Sequence, residues 1–339
     1  MIGLAPALAR PASQAERAHG ALAGLALGDA LGMPTQAMPR ELIAERFGAI
    51  TTLVAAPADQ PISPGQAAGA VTDDTEQALI VARLLIEGGG RIAPGKLAGA
   101  LGAWEERMIE RGSHDLLGPS TKAALAALKA GADPSQSGRL GTTNGAAMRV
   151  APVGIAQRPG AELWRRVQEA TTVTHGTTLG LAGAHAVAAA VSCGIDGREP
   201  SEAVIAGIAA AHFAAQRGVW VAGADIAARF DALAPLAREL PEAMFAAFLY
   251  EVVGTSVQSQ ESVVAALLLV ERYADEPFAA LTTAASLGGD TDTIAAIAGA
   301  ILGACRGVAA FPAPELATVS QVNQLDLAGL SARLLALRS

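Results

Sequence analysis

Alternation of apolar and polar residues, the mark of a half-buried strand, is almost absent from this chain. Only Ile50–Ala55 shows it, and weakly. Elsewhere apolar residues recur at helical spacing. Of 339 residues, 51% are hydrophobic but only 4% aromatic, so the core must be built from alanine and the aliphatics. Small side chains of this kind suit closely packed helices, whereas strands favour aromatic and β-branched residues. No fixed-period repeat or Pro-, Ser- or charge-rich linker divides the chain. The expectation is a single all-α domain over residues 13–339, after a flexible N-terminus at 1–12.

Local signals divide the chain into helices. Ser13 to Glu16 reads as a capping box before a helix at Arg17–Leu31, which Pro34 stops. Pro39 suits the first helical position before Glu41–Phe47, and 55–70 reads as a loop. Asp73 and Glu76 form a possible capping pair for Gln77–Glu87, which Gly88–Gly90 closes. Later helices are expected at Gly160–Ala170, Thr178–Cys193, Glu261–Tyr273, Asp292–Ala304 and Val322–Leu337, among others. Residues 139–153 are too polar and glycine-rich for an ordinary core helix.

The net charge is −8 and no lysine/arginine run occurs, which argues against nucleic acid as a partner. Cys193 and Cys305 each lie in apolar, alanine-rich sequence and read as reduced core residues. Residues 1–14 lack the charged start and apolar middle of a secretory signal. The most apolar stretch noted, Ile294–Cys305, has 12 residues, against about 20 for a membrane span. A cytoplasmic protein without a membrane partner is expected.

Two acidic clusters stand out, Thr72-Asp73-Asp74-Thr75 and Gly288-Gly289-Asp290-Thr291-Asp292-Thr293. Each places carboxylates and hydroxyls at a helix start, where capping alone could account for them. The same oxygens, without nearby cysteine or histidine, are also the ligand set of a hard divalent cation. If the two helix starts converge, four carboxylates could hold two metals.

These clusters resemble the metal motifs of the ADP-ribosylglycohydrolase family, of the dinitrogenase reductase-activating type. Five segments match in order: Gly20–Gly32 (GALAGLALGDALG), Val71–Glu76 (VTDDTE), Asp115–Leu125 (DLLGPSTKAAL), Thr143–Pro152 (TNGAAMRVAP) and Gly288–Gly299 (GGDTDTIAAIAG). The resemblance implies a compact multi-helix orthogonal bundle with two Mg²⁺ or Mn²⁺ ions held by Thr72, Asp73, Asp74, Asp290, Asp292 and Thr293. It implies hydrolysis of the glycosidic bond linking ADP-ribose to a protein side chain or small molecule. Thr142, Thr143, Asn144 and Gly145 carry over as the loop contacting ribose and diphosphate, and His175 as a residue lining the cleft. Arg149 either adds charge there or pairs with a structural carboxylate.

One departure bears on catalysis. Relatives carry a glutamate shortly after the GDALG segment, and Gln36 aligns there. Glutamine can position water but cannot accept its proton, so either Asp115 or Asp74 serves as base or activity is reduced or redirected. Two further readings keep the cleft: hydrolysis of a smaller ribosyl N-glycoside or nucleoside, and binding of ADP-ribose without turnover.

Overall fold

The computed structural model describes residues 10–113 and 117–338. Among these there is no strand; isolated bridges Met38–Gly289, Thr143–Gln258 and Thr177–Val219 tie loops together. Ile50–Ala55, expected as strand-like, is irregular because no strand lies beside it; the Ile50 N–H donates to Ser286 Oγ instead (3.0 Å).

The first helix, α1, spans Gln14–Gly32 and begins in the expected capping box: Glu16 N–H donates to Ser13 Oγ and Ser13 N–H to the Glu16 carboxylate. Its glycines at 20, 24, 28 and 32 recur every four residues, so they share one face. A Cβ at these positions would lie 2.4, 2.2, 2.2 and 2.4 Å from Gly303 O, Gly299 O, Ala295 O and Asp292 Cα. All four contacts belong to one late helix, Thr291–Arg306. The two helices therefore run antiparallel with their backbones touching, and the end of α1 lies at the start of that partner.

Four other helices complete the frame of the site: α2 (Asp73–Glu87), α3 (Ala161–His175), α4 (Thr178–Ile195) and α5 (Ser259–Arg272); the partner of α1 is α6. One continuous set of buried apolar side chains, mostly Ala, Leu, Ile and Val, runs from Ala18 to Leu334. The longest strongly apolar helix is α4 rather than the Ile294–Cys305 stretch. By length and composition it could cross a membrane, with mean hydropathy 1.5, yet 89% of it is buried inside the protein.

Several boundaries differ from expectation for identifiable reasons. The cap of α2 is Thr72 rather than Asp73, so both aspartates fall inside the first turn. The expected helix Val322–Leu337 is instead two, Ala313–Asn323 and Leu327–Leu335. Gln324 breaks it in the left-handed conformation (φ 53°), while Asn323 bonds Gly69 O and Val71 N–H in the loop before α2. Residues 139–153 hold one short helix, Gly145–Met148, and the start of a second, Ala151–Ala156. Cys193 and Cys305 are free, the latter buried.

Candidate active site

Asp29, the only acid between Arg17 and Gly32, is fully buried in α1. A buried carboxylate needs donors, and α2 supplies them. Thr72 N–H (3.0 Å) and Oγ1 (2.8 Å), with Thr75 N–H (3.0 Å) and Oγ1, all donate to Asp29. The start of α2 is thus fastened to α1, which already fixes the start of α6. At α6, Gly288 and Gly289 take positive φ (91° and 80°), and a Cβ on Gly289 would lie 2.3 Å from Thr255 O. Only glycine fits that turn, which aims Asp290 and Asp292 toward α2.

The two acidic clusters meet. Thr293 Oγ1 donates to Asp74 Oδ2 (3.1 Å) across 219 residues of sequence. Asn144 Nδ2 donates to Asp290 Oδ2 and to Ser262 Oγ (2.9 Å) on α5. A cavity of about 340 Å³ opens here, and its walls include Asp73, Asp74, Asp290, Asp292, Thr293, Gln36, Thr143, Asn144 and Gly145. Gln36 is buried and its amide donates to Ser63 Oγ (2.8 Å).

Other expected site residues lie elsewhere. Thr72 turns its hydroxyl to Asp29, and neither it nor Thr142 is on the cavity wall. His175 ends α3 fully buried under the Thr143 loop, with Nε2 3.1 Å from Thr143 Oγ1 and Nδ1 2.8 Å from Thr174 Oγ1. It supports the loop from behind rather than facing the cavity. Asp115 lies outside the described residues.

The family model for ADP-ribosylglycohydrolase matches residues 10–339. The chain belongs to the ADP-ribosylglycohydrolase family. It is 37% identical to an uncharacterised protein, YegU, of Escherichia coli K12 over 92% of this chain and 94% of that protein. It is 29% identical to the ADP-ribosylarginine hydrolase Tri1 of Pseudomonas putida GB-1, over 90% of this chain and 74% of Tri1. In fold it is similar to a solved ADP-ribosylglycohydrolase-related protein complex, with TM-score 0.69 and 23% identity over 96% of this chain and 99% of that one. Membership makes the chain a glycohydrolase, and its family in general requires metal.

The electrostatics of this ADP-ribosylglycohydrolase suit a cation. Burial pushes the Asp74 carboxyl well above the ordinary range, reinforced by Asp292 and Asp73. Asp292 is raised likewise by burial and then by Asp290 and Asp29. Burial also lifts Asp290 and Asp29 to about 6, against the hydrogen bonds each accepts. Asp74 Oδ1 is buried without a partner. Among the described residues no group of three or more Asp, Glu, His or Cys side chains stands ready to hold an ion. The orphaned oxygen and the carboxylate–hydroxyl donor set nevertheless fit a hard divalent cation.

Three supporting residues went unassigned in the sequence: Asp29, Gln77 and Ser262. The signal for Asp29 was a lone acid inside an apolar helix. Arg149, left between two roles, is fully buried, does not line the cavity, and lies within electrostatic reach of the Asp73 carboxylate. Its Nη1 donates to Gln77 Oε1 (3.0 Å), and Gln77 Nε2 donates to Asp73 Oδ2 (2.6 Å). Its other arm reaches Thr174 Oγ1 and so His175. Burial lowers Arg149 to about 10, still a cation at neutral pH.

The raised carboxyls make a signed prediction. Asp290 binds its proton more tightly folded, at about 6, than unfolded, at 3.8. Its cost is therefore fully present above pH 6 and is relieved as pH falls through that window. Buried His175 and His185, both lowered from 6.5, act oppositely, and a difference between variant and wild type cancels their contribution. In chelator, Asp290→Asn should stabilise the protein by about 1–3 kcal/mol at neutral pH. Parallel urea melts should show that gain shrinking toward pH 4; a gain independent of pH would contradict the assignment.

Proposed function

We propose that this ADP-ribosylglycohydrolase cleaves the glycosidic bond between ADP-ribose and an acceptor, a protein side chain or small molecule, in the cytoplasm. The reading rests on the meeting of Asp74 and Thr293 beside an unpartnered buried carboxylate oxygen. Asp73, Asp74, Asp290, Asp292 and Thr293 would hold two Mg²⁺ or Mn²⁺ ions, with Thr72 setting the helix start that presents them. Bound there, divalent cations supply Lewis acidity to ribose hydroxyls and water and cancel the carboxylate repulsion.

The chain's own groups divide the remaining work. Asn144 orients Asp290 through its amide, with Ser262 fixing Asn144 in turn. Thr143, Asn144 and Gly145 present a polar loop edge to the ribose and diphosphate, steadied by Ser120 Oγ, which accepts from Thr142 and Thr143 N–H (3.3 Å each). Water attacks the anomeric carbon as the bond to the acceptor breaks, and the proton the water loses passes by way of Asp74 or Asp115 to the departing acceptor. Positive charge developing on the ribose faces a wall of carboxylates, which stabilises it.

Addition of Mn²⁺ or Mg²⁺ to chelator-treated protein should raise stability by about 2.7 kcal/mol at a hundredfold excess over Kd. Asp292→Ala should lose both that shift and turnover of ADP-ribosylated arginine. A wild-type response in Asp292→Ala would overturn the site. Turnover of simple nucleosides but not ADP-ribosylated arginine would favour the smaller substrate, and ADP-ribose binding without turnover would favour a binder.

Gln36 allows a test in the opposite direction. It already lies on the cavity wall, so Gln36→Glu adds a carboxylate that can take a proton. The rate should rise, by at most roughly 10²–10⁴-fold. An unchanged rate, with Asp115→Asn inactive, would assign the base to Asp115.

A further inference from the structure

The opposite face of α2 borders a second cleft. Where Asp73, Asp74 and Gln77 face the acidic cavity, Glu76, Leu79, Ile80 and Arg83 face a cavity of about 230 Å³. Arg107 and Arg111, from the end of the Pro94–Glu110 helix, line the same space. An adjoining cavity of about 310 Å³ shares Arg83 and adds Arg333 from the Leu327–Leu335 helix. Four arginines from three separate helices thus line two adjoining cavities that share Arg83, in a chain whose net charge is −8.

None of these four has a described ion pair, whereas Arg46, Arg91, Arg166, Arg238, Arg272, Arg306 and others are matched to carboxylates. The helix dipole accounts for basic residues at the end of Pro94–Glu110, but not for Arg83 within α2 pointing into the same space. Two acids border the region. The Glu76 carboxylate is taken by the Trp104 indole N–H, and Asp326 caps the Leu327–Leu335 helix at Gly329 N–H (2.9 Å). Four cations against two occupied carboxylates leave an excess of unused donors. Guanidinium forks bind phosphoryl oxygens bidentately, and Arg83 between the two cavities separates Arg107 and Arg111 from Arg333.

We propose that this cleft is a second ligand site, for an anion with two linked phosphoryl groups: inorganic pyrophosphate or the diphosphate of a nucleotide. One phosphoryl group would engage Arg107 and Arg111, the other Arg333, with Arg83 between them.

The test is calorimetric titration of the full chain with pyrophosphate and with ADP, in chelator and at low salt, because exposed guanidinium groups are screened. Wild type should bind pyrophosphate at one site. Arg83→Gln with Arg107→Gln should weaken it by at least about tenfold, the scale of lost charge-assisted bonds. Arg333→Gln, made separately, should weaken it too. Arg46→Gln, outside both cavities and paired with Asp59, should bind pyrophosphate as wild type does. Equal affinities for pyrophosphate and ADP would mean that the diphosphate alone is recognised, and tighter ADP that the nucleoside also finds a place. No binding of either anion by wild type, wild-type affinity in the variants at Arg83, Arg107 and Arg333, or an equal loss in Arg46→Gln would each overturn the proposal.

Discussion

Gly28→Leu is expected to abolish folding. Even a Cβ at this position would lie 2.2 Å from Ala295 O, a backbone atom that cannot swing aside. The two helices would have to separate along their length, opening the contacts at 20, 24 and 32 as well. Overpacking alone typically costs about 1–3 kcal/mol, and a rigid backbone contact belongs beyond that range. Lost helix–helix packing adds to it, against a total stability of about 5–15 kcal/mol. Gly28→Ala should already lower the urea midpoint sharply. Gly99→Ala, in a helix where nothing lies within 4 Å of the added methyl, should instead stabilise by up to about 1 kcal/mol. Equal effects at the two positions would refute the backbone contact.

Asp29→Ala should separate site assembly from site chemistry, since Asp29 does not line the cavity. The change strands the N–H and hydroxyl groups of Thr72 and Thr75, all donors to Asp29. Unsatisfied buried donors cost about 1–3 kcal/mol each, partly offset by removing a charge that repels Asp74. A net loss of about 2–4 kcal/mol is expected. The larger effect should be on cations: with α2 unfastened, Asp73 and Asp74 lose their register with Asp290 and Asp292. Calorimetric titration with Mn²⁺ reads this directly, and wild-type affinity in a folded Asp29→Ala protein would contradict it.

What the sequence made legible were features whose cause is local. The Ser13–Glu16 capping box needs only its own four residues. The acidic clusters stood out because Asp and Thr in such density are conspicuous among alanines. What it hid depended on distance. Asp29 finds its partners 43 and 46 residues away, so its role is invisible until two helices are placed. His175 lies in a motif-like stretch, but only packing shows that its ring faces inward to Thr143 and Thr174. The break at Gln324 escaped notice because the pull on Asn323 comes from Gly69 and Val71, some 250 residues earlier.

The pairing of α1 with α6 carries a cost in time rather than in stability. Its contacts join Gly20 to Gly303 and Gly28 to Ala295, nearly the longest separations this chain allows. Closing so long a loop costs little more free energy than closing one half its length, about 0.6 kcal/mol per doubling. The delay is serial, because the glycine face of α1 has no partner until residues 291–306 have been made. At typical synthesis rates of about 5–20 residues per second, the early helix waits many seconds with its glycine face bare. The apolar α4 leaves the ribosome in that interval, also before α5 and α6 exist to cover it. A nascent chain stalled before residue 291 should therefore be a substrate for chaperones and proteases, and synthesis of residues 291–306 should convert it abruptly to a protected form.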